Sequence, residues 1–498
     1  MSTPLSSSAC WMQAPKATSE IRGRRKSSVH PPRDYPLTSP TQEMSLTEPE
    51  LTQSSLNATQ NPLPRPTWPE AAQIVADIFA PVLAKGPIRR RPKVMAVAER
   101  LDIERRGVKR MQALVDKYGP GPLQLKLFGR EFSLILDPQD VHRVLDQTPE
   151  PFTPAELLKR KALEHFEPRS SLITRGPQRA GRREFNEKAL GSDHPIHKMA
   201  STLLPAVREE AKILLDEVGT ESGTLRWDDF NRAWFRMVRR VVLGDSARND
   251  DRLIELIESL RSRGNLAFLR PLDRVTRDDF HDTLKEILDR AEPGSLAAFM
   301  QNMGPSETEP ADQVPQWLFA FDPAGTAAWA AMALLSSDEP KMDEAREEAL
   351  VQASDPAPLL PKLRHAVLDT LRLWPTTPFI LRQATRSVEF TPGIMPEGTS
   401  ALIFAPYFHR DDRHLGYANT FSPHIWDAER TNTDWPLVPF SDGSGICPGR
   451  HLVLMLTSNF IAELIRAHEV RLLQPSLDPR NVPSTFNTYG AEFRVTSR

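Results

Sequence analysis

The stretch Trp317–Leu335 constrains the fold of this chain more than any other feature. It is apolar on every face, rich in alanine and close to the length that crosses a bilayer. Asp322, Pro323 and Gly325 interrupt its middle, and no basic flank anchors it. An all-round apolar helix is also what the centre of a large helical body requires. We read it as a buried central helix, and 498 residues are enough to surround it.

Composition narrows the class. The net charge of −2 carries no general basic signature, so nucleic acid is not an expected partner. The only cysteines are Cys10 and Cys447, too few for a disulfide framework or a multi-cysteine metal site, and their scarcity fits a reducing compartment. No apolar run near the start matches a signal peptide or membrane anchor, so a cytoplasmic chain without a transmembrane anchor is expected. Residues 1–65 are rich in Ser, Thr, Pro and Gln and read as a disordered tail. Within residues 1–33 six basic side chains face one acid, Glu20; that matches a mitochondrial transit peptide weakly and a solvated basic tail better. Residues 66–498 read as one globular domain.

Periodicity in that domain is mostly helical. Helices are expected over 105–118, 138–145, 195–218, 227–243, 251–262, 277–291, 315–336, 358–373 and 449–467, with a short amphipathic one within 71–84. Alternation over 123–128 and 131–136 around Gly129-Arg130 predicts a β-hairpin, and strand-like pieces recur at 387–390 and 400–404. The fold class is therefore mainly α with a small β-sheet subdomain built from near both ends.

Chemistry concentrates at Phe440-Ser-Asp-Gly443-Ser-Gly-Ile-Cys447-Pro-Gly449. Gly443 and Gly445 permit turns that aim backbone N–H groups at sulfur, and a helix starts just after Cys447. Those N–H groups and the helix dipole favour thiolate over thiol. A single thiolate suits one axial position of an iron whose other ligands belong to a porphyrin. The alternative is a buried structural cysteine. Three other segments accompany the loop: Asp369-Thr-Leu-Arg372, an acid and a base on one helix face; Pro375-x-x-Pro378-x-x-x-Arg382; and Phe421-Ser-Pro423-His424-Ile-Trp426.

In this order and spacing these segments resemble the cytochrome P-450 family of haem-thiolate monooxygenases, over about residues 66–498. The resemblance implies a cytochrome P-450-like fold and haem b (iron protoporphyrin) with an axial thiolate. Carried over by position, Cys447 is the metal ligand, Phe440 covers the sulfur, Gly443 shapes the loop, and Arg382 meets a haem propionate. Gly176-Pro-Gln-Arg179-x-x-x-Arg183 resembles the family's Trp-x-x-x-Arg helix motif, with Arg183 on a propionate and Arg179 in place of tryptophan. Asp369 and Arg372 match the Glu-x-x-Arg pair that braces the loop, and His424 is a candidate third member.

Departures from the pattern are informative. Gly445 stands where the family has Arg or His, so one propionate contact is missing and Arg179 is the candidate substitute. On the central helix Asp322 falls at the family's proton-delivering acid, and Pro323 replaces its threonine. Proline leaves the Phe319 carbonyl without a helical donor, which opens a groove for oxygen and water. Ala320, Ala324 and Gly325 are small enough to let a flat ring approach. Thr326 either joins a relay with Asp322 or bonds back to the Asp322 carbonyl.

The resemblance implies insertion of one oxygen atom from O2 into a lipophilic small-molecule substrate, with specialised metabolism as the class-level setting. Segments near 150–175, 195–280 and 376–381 would line the pocket. No flavin or nicotinamide fingerprint appears, so electrons would come from an external donor, a reductase or ferredoxin. Arg179, Arg182, Arg183 and Arg450 are candidates for a donor-facing basic surface. Pro323 keeps open a peroxide-dependent peroxygenase or a haem-thiolate isomerase. Gly445 and the shortened acid keep open a haem sensor or degenerate member.

Overall fold

The computed structural model describes residues 61–498 apart from 128, 222, 266, 268, 269 and 305. The expected tail, with Cys10 and its basic run, lies outside the described residues up to position 60. Residues 61–65 belong to the body: Leu63 is buried, Pro62 bridges to Ile394, and the Pro64 carbonyl accepts from the Gln124 N–H.

Local signals set most helix ends. Asp137 caps the helix Pro138–Asp146 by accepting from the N–H groups of Gln139 and Asp140. Asp250 and Asp273 cap Asp251–Gly264 and Arg274–Asp289 in the same way. Gly119, at φ 74, stops Ile103–Tyr118. The apolar stripe expected at 71–84 is part of a continuous helical run from Trp68 to Lys85, whose middle turn, Val75–Phe79, is a π-helix just before Pro81. That wider turn accommodates the missing proline N–H without ending the run.

The main sheet holds five strands in the order Leu123–Leu127, Arg130–Leu134, Ser400–Phe404, Phe379–Ala384 and Phe152–Thr153. Only the pairing of Arg130–Leu134 with Ser400–Phe404 is parallel. A second sheet orders Thr224–Arg226, Glu492–Ser497 and His468–Gln474. The expected hairpin is there. Phe379–Ala384 and the two C-terminal strands are additions, as is the polar helix Glu339–Val351.

The long helix Pro310–Ser336 is the axis of the larger hydrophobic core. It has the length and composition to cross a membrane, yet 72% of its apolar window is buried inside the body. It packs against Trp227–Leu243, the brace helix Pro361–Leu373 and the proximal helix Arg450–Arg466, and also against Arg274–Asp289 and Glu339–Val351. Phe230, Trp234, Trp329 and Phe460 interlock around it. A smaller core lies under the main sheet, around Phe132, Leu134, Leu402 and Phe404. The architecture is mainly α with small sheets, as the sequence predicts.

Candidate functional site

The cysteine loop is fixed to the body by glycines that admit no side chain. Gly443 sits at φ 59, where a Cβ would lie 2.5 Å from the Leu145 carbonyl oxygen. The loop therefore presses directly on the end of the helix Pro138–Asp146. Ser444 ties it further by donating to the Thr148 carbonyl. The Cys447 N–H donates to the Phe440 carbonyl at 2.9 Å, closing the loop, and the Phe440 ring packs on the edge of the larger core. The proximal helix follows at once, with the Val453 N–H on the Gly449 carbonyl at 2.8 Å. A Cβ at Gly449 would make only ordinary contact with Leu190.

The electrostatics of the sulfur differ from expectation. Burial pushes the Cys447 thiol up, and this outweighs the opposing pull of the Gly449 N–H, Arg183 and Arg450. Burial thus disfavours the thiolate, and metal ligation at this sulfur displaces the proton.

Beside the loop lies uncompensated positive charge. Arg382 is 3% exposed and donates to Thr148 Oγ1 at 3.1 Å, Ser441 Oγ at 3.1 Å and the Leu381 carbonyl at 3.0 Å. Burial, then Arg179 and Arg183, push its pKa down to about 10. The Nε of Arg179 is buried without a partner. Arg183 pairs with Glu187 at 2.5 Å. Half-buried Lys159 reaches the same region, donating to the carbonyls of Pro154 and Leu381. Burial and then Arg382 lower its pKa to about 7, against Glu156 and Glu167. Among the described residues neither Arg382 nor Arg179 has a carboxylate at ion-pair distance. Such a cluster fits a dianionic group.

Gly445 now has a structural reason. A Cβ there would lie 2.6 Å from Nη2 of Arg382. The guanidinium of Arg382 occupies the space that a side chain at 445 would need.

The brace is complete although its acid is short. Asp369 and Arg372 are fully buried and joined by bonds of 2.6 and 3.1 Å. Arg372 also donates to the carbonyls of His409, Ala418 and Thr420. Asp369 accepts from the Ser422 N–H at 2.7 Å and from Trp426 Nε1 at 3.3 Å. His424 is exposed and takes no part; Trp426 is the third member.

On the long helix, Gln316, Phe319, Ala320 and Pro323 stay partly accessible among buried neighbours. Their spacing of three and four places them on one face, and Thr326, also partly accessible, continues that row. Ala324 and Gly325 are buried elsewhere. A Cβ on Gly325 would lie 2.7 Å from the Trp234 ring, whose Nε1 donates to the Phe321 carbonyl at 2.8 Å. Gly325 therefore admits a tryptophan, which corrects the expectation that it admits a cofactor.

Asp322 is not a free acid. It pairs with Arg261 Nη2 at 2.5 Å, and Arg261 also binds Glu258 and lies 5.2 Å from the Phe319 ring centre. Thr326 makes no bond back to the Asp322 carbonyl; it lines a pocket with Trp374, Thr376 and Tyr489. Of the basic residues offered as a donor-facing surface, Arg182 is held by Thr174 Oγ1 and Arg183 by Glu187. The sequence reading missed Lys159, Trp426 and Arg261. It also missed Glu167, a fully buried carboxyl raised well above the usual range by burial, which faces the amide of Gln316.

Residues 341–488 match the cytochrome P450 family model. Drimenol monooxygenase of Persicaria hydropiper is 27% identical over 282 residues, 53% of this chain and 52% of that protein. Sugiol synthase of Salvia miltiorrhiza is 27% identical over 237 residues, 45% and 46% of the two chains. The chain thus spans about half the length of the curated relatives it matches. The retinoic acid-bound cyanobacterial CYP120A1 superposes with a TM-score of 0.62 at 16% identity, covering 78% of this chain and 94% of that one. That is a likeness of fold: the body has the cytochrome P450 architecture. The matched stretch contains the brace pair and the cysteine loop, so this part of the chain is similar to the cytochrome P450 family. Family and fold imply a haem with an axial cysteine thiolate. The residues fit that group: one thiol, glycines that shape its loop, and buried cations lacking anions.

Proposed function

We propose that the chain is a haem-thiolate monooxygenase acting on a lipophilic small molecule in specialised metabolism. The observation that carries this reading is the meeting of the Cys447 loop with the unpaired cations Arg382 and Arg179. Bound haem would supply oxygen activation once electrons arrive from an external reductase or ferredoxin. The chain's own residues do the rest. Cys447 would hold the metal. Arg382, Arg179 and Lys159 would neutralise the propionates, and Arg183, paired with Glu187 in the structure, would assist them. The Asp369–Arg372–Trp426 brace keeps the loop at a fixed height.

On the long helix, Pro323 leaves the Phe319 carbonyl free to accept from a water, which substitutes for a threonine hydroxyl. Asp322 delivers protons when Arg261 releases it, and Thr326 lies close enough along the helix to share that task. Pro323 also favours a second reading, a peroxygenase or isomerase that needs no donor. Labelled dioxygen separates the two. With a reduced donor present, the product gains one labelled atom on the first reading; turnover by peroxide alone at an equal rate supports the second.

A further inference from the structure

Arg90 has no carboxylate at ion-pair distance among the described residues, although Tyr489 and then Asp322 lend it electrostatic support against burial. Arg90 lies between the helices Ala80–Lys85 and Pro92–Arg100, in a segment that is firmly held. The N–H groups of Ile88 and Arg89 donate to Asn265 Oδ1 at 2.9 and 3.1 Å, and Asn265 Nδ2 returns a bond to the Arg89 carbonyl. The Arg91 N–H donates to the Lys85 carbonyl at 2.9 Å. This fixes the Arg90 side chain inward, where it donates to the carbonyls of Gly86 at 3.2 Å and Thr376 at 2.7 Å. A guanidinium has five N–H donors, and these two bonds occupy two of them.

Arg90 lines a narrow pocket of about 60 Å³, room for a carboxyl group, that touches the long helix at Thr326 and Ala330 and is lined by Trp374 and Phe486. The two rings stack at 4.7 Å between centres. The other charges of the pocket are matched. Lys85 pairs with Glu104, and Glu104 accepts a second bond from Thr485. Asp322, whose charge supports Arg90, is held by Arg261. Among the described residues no carboxylate lies at ion-pair distance from Arg90. The pocket therefore combines an apolar floor with one surplus, pre-oriented fork of donors, a geometry that takes a carboxylate side-on. Thr326 follows Pro323 by three residues, so the pocket adjoins the oxygen-side face of the helix.

We propose that the substrate is a lipophilic carboxylate and that Arg90 anchors its carboxyl group. This deepens the monooxygenase reading and rests on it. The test is calorimetric titration of the purified, haem-loaded full chain with dodecanoate, methyl dodecanoate and 1-dodecanol at neutral pH. Dodecanoate should bind about ten-fold tighter than either neutral partner, the worth of a charge-assisted bond. Arg90→Gln should erase that preference while leaving binding of the alcohol unchanged, and Arg90→Lys should keep part of it. Equal affinities in the unmodified protein, no binding of dodecanoate, or equal weakening of all three ligands by Arg90→Gln would overturn the proposal. Should that variant not fold, the comparison of acid with ester in the unmodified chain decides alone. A protein that shows the thiolate spectrum but no acid preference refutes only the anchor.

Discussion

Individual side chains in this protein are chosen by what their neighbours leave open. Position 445 carries no side chain, and the Arg382 guanidinium occupies the space that one would need. Gly445→Arg therefore should not tighten haem. It sets two guanidinium groups in one volume, and thermal unfolding should show a loss of about 1–3 kcal/mol. Arg179 has a buried Nε with no acceptor, which an anionic ligand would satisfy. Arg179→Ala should speed haem loss to an acceptor apoprotein several-fold; an unchanged loss rate would remove Arg179 from the anion site. Burial raises the pKa of the Cys447 thiol.

At the scale of elements, the brace helix shows how one pair fixes a distant loop. Arg372 spans three carbonyls and Asp369 binds both Ser422 and Trp426, so the segment before the cysteine loop cannot drift. Asp369→Ala leaves a fully buried guanidinium without its acid. Urea unfolding should register about 3–5 kcal/mol, against almost nothing for substitution of exposed His424. His409 links the same helix to the loop: its Nδ1 lies against the Arg372 carbonyl and its Nε2 accepts from the Val438 N–H. Burial, then Arg372, push its pKa down to about 3. The unfolded state thus takes a proton first as pH falls below about 6.5, and stability declines from there toward pH 3. His409→Gln keeps an acceptor and a donor without titrating, so its unfolding free energy should fall less steeply over that window.

Much of this was legible beforehand, for physical reasons that differ by element. Trp227–Leu243 has the same bounds in sequence and structure because its apolar stripe is strong and an acidic first turn and Gly244 mark its ends. Glu339–Val351 was missed because its polar residues surround it, and Phe379–Ala384 because Arg382 and Gln383 break the apolar alternation. The Asp369–Arg372 pair was legible because its three-residue spacing on one helix face is local. Arg261, Lys159 and Trp426 were not, since only tertiary folding brings them to Asp322, Arg382 and Asp369.

For the whole molecule, the 27-residue helix Pro310–Ser336 runs through the larger hydrophobic core. Its accessible face carries Pro323 and borders the pocket of Arg90, while the opposite face receives Trp234 through Gly325. All of this has catalytic meaning only if the sulfur of Cys447 binds iron. The most direct measurement is the carbon monoxide difference spectrum of the reduced protein, run beside Cys447→Ser. The account predicts a strongly red-shifted Soret band that the serine variant loses. An unshifted band in the unmodified protein, or a shifted one that survives the substitution, would contradict it.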